Sequence, residues 1–95
     1  MVVNNMLIKL KNRDAESVQA AVTILRGLAG NIPCLLDSRV ETELRAGQGS
    51  YDIMLINTFG TNDDVKTYID HPVHVEISKQ IVEMIESSAA LRYEV

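Results

Sequence analysis

Between residues 2 and 11 apolar and polar side chains alternate. Met6, Ile8 and Leu10 fall on one side, with Asn5, Lys9 and Lys11 mostly on the other. A period of two predicts a first strand. From Asp14 the period lengthens: Val18, Ala21, Val22, Leu25 and Leu28 recur at helical spacing, while Glu16, Gln19 and Arg26 lie off that stripe. Asp14 is placed to cap the helix, and Gly30 followed by Pro33 is placed to stop it.

Residues 34–45 alternate again, with Leu36, Ser38, Val40, Thr42 and Leu44 on one face and Asp37, Arg39, Glu41 and Glu43 on the other. "AGQGS" (46–50) then reads as a hairpin connection. The stretch "YDIMLINTF" (51–59) is apolar on both faces: Tyr51, Ile53, Leu55 and Phe59 on one, Met54 and Ile56 on the other. A strand of that kind belongs in the middle of a sheet. A helix is predicted from Thr61, broken near Pro72 and resumed to about Ser87, with Val73, Ile77, Ile81, Met84 and Ile85 facing the core. "ALRYEV" (90–95) is the last strand.

The predicted order is β-α-β-β-α-β, an α+β, ferredoxin-like arrangement with a four-stranded antiparallel sheet. Both crossovers put their helices on the same face. The other face, to which either Met54 and Ile56 or their opposites must point, then needs cover. A homodimer is expected, two sheets closing face to face into a dimeric α/β barrel with an enclosed interior bordered by residues 67–74.

Length and charge narrow the field. Ninety-five residues make one domain, 1–95. The net charge is −4, and nine Lys and Arg form no dense run, which argues against nucleic acid and against a basic membrane-surface helix. No apolar run approaches the ~18 residues of a membrane span. The first residues lack the charged, apolar and small-residue blocks of a leader, so a cytoplasmic protein is expected. Cys34 is alone and reads as a packed thiol, with neither a disulfide nor a zinc knot available to it.

"TYIDHPVH" (67–74) gathers a tyrosine, an aspartate and two histidines around one proline. Pro72 disfavours helix at His71 and suits the first turn of a second helix. His71 and His74 are three apart and Tyr68 lies one turn earlier, so all three lean the same way if the segment stays nearly helical. Asp70 at the break can accept amides of the new helix. Histidine exchanges protons near neutral pH, and a tyrosine hydroxyl can donate to an oxygen on which charge develops. The alternative is architectural: His71 as a cap bonded to a backbone carbonyl, and Tyr68 as a core aromatic with its hydroxyl at the rim. Asp70, His71 and His74 lack the spacing and the glutamate of a zincin helix, and neither metal nor cofactor is expected.

"LIKLK" (7–11), "GNIPCL" (30–35), "SYDIMLINTF" (50–59) and above all "YIDHPVHVE" (68–76) resemble the stress-responsive α/β-barrel domain family, known as Dabb, along nearly the whole chain. The resemblance implies a ferredoxin-like protomer in a dimeric α+β barrel. Plant polyketide cyclases of that family close a ring by aldol condensation. Their motif's second histidine acts as base and its tyrosine assists, roles that would fall on His74 and Tyr68. A cavity histidine common in the family's first strand is replaced here by Asn4 or Asn5. Two functions are compatible with this pattern. One is a homodimeric domain that binds a small molecule in the barrel cavity, with His71, Asn4 and Asn5 as further ligand contacts. The other is a cofactor-independent enzyme with His74 as general base and Tyr68 as hydrogen-bond donor.

Overall fold

The computed structural model describes all of residues 1–95. Its elements are β1 (Val2–Leu10), α1 (Ala15–Arg26), β2 (Leu35–Thr42), β3 (Ile53–Phe59), α2 (Asn62–Asp70), α3 (Pro72–Val82) and β4 (Ile85–Glu94). The strands lie in the order β2-β3-β1-β4, and every neighbouring pair is antiparallel. This is the ferredoxin-like split βαβ arrangement expected from the alternation, with β3 and β1 in the centre.

Alternation in the central strands assigns the two faces. Val2, Ile8 and Leu10 of β1 and Ile53, Leu55 and Phe59 of β3 are buried on the helix side. There they join Val18, Ala21, Val22 and Leu25 of α1, Val65 and Tyr68 of α2 and Ile81 of α3 in one core. Asp14 caps α1 by accepting the Ser17 amide at 2.7 Å. The helix ends at Arg26, before Gly30, which takes φ +76° in the turn beyond it.

The opposite face of the sheet has no layer over it. Half-buried Leu7, Met54 and Ile56 stand there beside Leu91 and Tyr93 of β4, which are 67% and 40% exposed. Asn5 shares this face: its Nδ2 donates to the Tyr93 hydroxyl at 3.3 Å, and its buried Oδ1 has no partner.

Several expectations are corrected. The last helix stops at Val82 rather than near Ser87, and β4 begins at Ile85, so Met84 and Ile85 are not part of a helical stripe. Backbone pairing to β1 decides this, running from Glu94 opposite Val2 to Ile85 opposite Leu10. In β2 the register shifts between Leu35 and Asp37, which turns Leu36 outward (59% exposed) and puts Leu35 into the core. Leu44 lies beyond the strand and is 98% exposed.

A buried ion pair closes the end of the sheet. Asp52 is 2% exposed and accepts from the Leu10 amide at 2.9 Å and from Arg13 Nε at 2.9 Å. Arg13 also donates to the Gly49 carbonyl, so the β2–β3 loop is fastened to the turn after β1. Removing the carboxylate leaves a buried N–H unpaired and a guanidinium uncompensated. Asp52→Ala is expected to cost about 3 kcal/mol, read as a lower urea midpoint at an unchanged slope.

Candidate active-site pocket

The site begins with a hydrogen-bond rearrangement at Pro72. Helix α2 starts in a capping box, with Thr61 Oγ1 accepting the Asp64 amide and Asp64 Oδ2 accepting the Thr61 amide. The helix carries Val65 and Tyr68 into the core. At its far end proline has no N–H to give. His71 is extended (φ −67°, ψ 138°) and serves as the C-cap of α2 and the N-cap of α3. Its amide donates to the Tyr68 carbonyl at 3.1 Å, and its ring Nδ1 accepts the Val73 amide at 3.1 Å. The cap is therefore the His71 ring, bonded to an amide rather than a carbonyl, and not the Asp70 carboxylate.

In an unbroken helix the Val73 amide would have gone to the Ile69 carbonyl. That carbonyl is met instead by His74 Nδ1 at 2.9 Å. A carbonyl can only accept, so Nδ1 carries the proton, and Nε2 of the neutral ring keeps its lone pair. The His74 ring lies 4.5 Å from the Tyr68 ring at a 53° tilt, and Phe59 meets Tyr68 edge-on at 5.1 Å.

Both side chains line one pocket of ≈ 290 Å³ between α3, α1 and the helix side of the sheet. Met6, Leu25, Leu55, Ile77 and Ile81 supply much of its apolar wall, and Tyr68, His74, Ser78 and Ser88 supply its polar groups. An apolar hollow with a few convergent polar groups has the character of a small-ligand site, at the lower end of the usual size range. A hollow of ≈ 330 Å³ beside Glu41, Glu43 and Tyr51 is a surface depression at the β2–β3 end, remote from both residues. The pocket lies within one chain, under the helices. The expectation that residues 67–74 border a space between two facing sheets is corrected, because the segment sits on the other side of its own sheet.

Sequence reasoning missed Asn57 and Ser38. Asn57 is 2% exposed on the helix side of β3. Its Nδ2 donates to the Tyr68 hydroxyl oxygen at 3.1 Å, and its Oδ1 accepts from Ser38 Oγ at 2.6 Å. The signal was present: in "IMLINTF" an amide occupies the parity of Ile53, Leu55 and Phe59. Burial pushes the Tyr68 phenol up to about 12, with the Asn57 hydrogen bond opposing that rise and Cys34 adding slightly to it. At neutral pH Tyr68 is therefore a proton donor.

The other singled-out residues lie elsewhere. His71 does not line the pocket and is occupied as a cap. Asn4 shares the helix side of β1 with Met6 but is not part of the pocket wall, while Asn5 points to the opposite face. No three His, Cys, Asp or Glu side chains converge as metal ligands, and no helix is long and apolar enough to cross a membrane.

A split four-stranded sheet with Tyr68, His71 and His74 around a proline break defines a ferredoxin-like domain of a particular kind. The chain belongs to the Dabb family, the stress responsive A/B barrel domain, whose family model matches residues 5–95. A dimeric protein of unknown function and ferredoxin-like fold from Bacteroides fragilis NCTC 9343 is 27% identical at a TM-score of 0.83, over 99% of this chain and 95% of its own. A dimeric ferredoxin-like protein of unknown function from Thermobifida fusca YX is 22% identical at 0.84, over 99% and 90%. The hydroxynitrile lyase of Passiflora edulis shares the fold at 15% identity and 0.81, over 99% and 92%. No curated protein matches the chain.

The raised Tyr68 pKa has a consequence for stability. The unfolded phenol ionises near 10.0 and the folded one near 12, so the folded state holds the proton more tightly. Stability from this group is intact below pH 10.0 and falls as pH rises toward about 12. Tyr68→Phe is expected to flatten that part of the alkaline unfolding profile. In an ultraviolet titration it should delete a component ionising near 12.

Proposed function

We propose that the inner pocket binds a small, largely apolar carbonyl compound and moves a proton on it without a cofactor. His74 acts as the base and Tyr68 as the donor to the oxygen. The observation that carries this reading is that His74, held by Nδ1 on the Ile69 carbonyl, and Tyr68, a protonated phenol, line one pocket with their rings 4.5 Å apart. His74 Nε2 takes a proton from the carbon next to the carbonyl. The C–H electron pair moves into the carbonyl system, and the oxygen that gains charge receives the Tyr68 hydrogen bond. The imidazolium keeps its Nδ1–H on the Ile69 carbonyl, which holds the ring in place through the step. The enolate carbon then either recovers the proton from Nε2 or attacks a second carbonyl, whose π pair moves to its oxygen and takes that proton from Nε2. A hydroxynitrile lyase on the same fold supports the view that such a chain can house chemistry.

Proton transfer can be read without knowing the natural substrate. In deuterated buffer the protein is expected to speed exchange of the α-protons of acetophenone, followed by proton NMR. His74→Ala should remove about 10² or more of that acceleration, and Tyr68→Phe should remove a comparable part. Exchange at the buffer rate with the native protein, alongside saturable ligand binding, would leave a binding pocket without chemistry.

We infer further that the bare sheet face pairs with a second copy of the chain. Leu7, Met54, Ile56 and Leu91 form an apolar surface there that a second copy would cover. The dimeric relatives support this. Sedimentation should find a particle of twice the 10.5 kDa chain mass. Leu7→Lys combined with Met54→Lys should yield a folded monomer.

A further inference from the structure

We propose that Asn57, held by Ser38, is a positioning residue that turns the Tyr68 hydroxyl proton into the pocket. This rests on the reading of the pocket as a proton-transfer site. Asn57 stands in the middle of a central strand, between Leu55 and Phe59 on the buried side. A β-branched or aliphatic residue would suit that place better on packing alone, because a buried amide must have its polar atoms paired. Both ends of the Asn57 amide are paired. Ser38 is its cross-strand partner in the β2–β3 ladder, so backbone register sets the spacing of the 2.6 Å bond between them.

With its oxygen fixed by Ser38, the amide can offer Tyr68 only an N–H. The Tyr68 oxygen accepts it at 3.1 Å, and the phenol's own hydrogen remains unclaimed by any group in the chain. That hydrogen belongs to a residue on the pocket wall. The polar chain from Ser38 to Asn57 to Tyr68 thus runs in one direction, each member donating to the next. Its last donor is left for whatever occupies the pocket. The Asn57 N–H also strengthens its hold as the phenol oxygen gains negative charge, so it favours proton donation against the opposing effect of burial. No other pocket-lining group is backed by such a chain of buried hydrogen bonds.

The test uses 4-nitrophenolate as an oxyanion probe and nitrobenzene as its neutral counterpart, titrated into the purified protein. Asn57→Leu is expected to weaken 4-nitrophenolate about tenfold and to leave nitrobenzene unchanged. Ser38→Ala, at a half-buried position where little packing is lost, should weaken the phenolate about threefold by freeing the amide. It provides the reading if Asn57→Leu does not fold. Equal losses for both probes would make Asn57 a packing residue and overturn the proposal. So would unchanged phenolate binding in Asn57→Leu and Ser38→Ala where Tyr68→Phe still weakens it, and in that case the pocket reading survives. If Tyr68→Phe has no effect on the phenolate, the pocket reading fails and the positioning role falls with it.

Discussion

A proline nitrogen carries no hydrogen, and the donors and acceptors around Pro72 are arranged to accommodate that. Pro72 cannot complete the last turn of α2, so the His71 amide serves the Tyr68 carbonyl in its place. The Val73 amide is drawn off to the His71 ring, which frees the Ile69 carbonyl. His74 completes the exchange by giving that carbonyl its Nδ1–H. One chain break thereby selects a histidine tautomer, orients its ring and sets it against Tyr68. The two histidines of the motif divide the work: one holds the bend, and the other faces the pocket because the bend is held.

The sheet gives this arrangement its surroundings. Helices cover one side only, so β1, β3 and β4 form the floor of a cavity above and an apolar plate below. The cavity is possible because α3 lies over the sheet on medium-sized aliphatic side chains, with small Ser78 and Ser88 leaving room between them. Strand β4 pairs in the sheet only with β1 and is exposed along nearly its whole length. Its hydrogen bonds to β1, rather than burial of its side chains, keep it in place.

Much of this was readable from the residues. Period-two runs located the central strands, the stripe from Val18 to Leu28 located α1, and the proline between two histidines located the break. What escaped had physical reasons. The start of β4 is written in ladder pairing, and "IESSAA" has neither a strand's alternation nor a helix's stripe. The outward turn of Leu36 comes from one extra residue in the ladder, which leaves no periodic trace. The side of the sheet on which the pocket opens depends on how α3 crosses the strands, a tertiary matter. Tyr68 and His74 were visible as candidates because they are close in sequence. Asn57 and Ser38 come to Tyr68 from two strands, β3 and β2, and only the amide's parity within β3 hinted at them.

The alternation within β1 has an evolutionary corollary. Met6 belongs to the chamber, whereas its neighbours Asn5 and Leu7 belong to the outer plate. The lining of the pocket and the makeup of the outer face are thus encoded on interleaved letters of one short word. Descendants can revise either without rewriting the other, and only an insertion or deletion in that strand would scramble both at once.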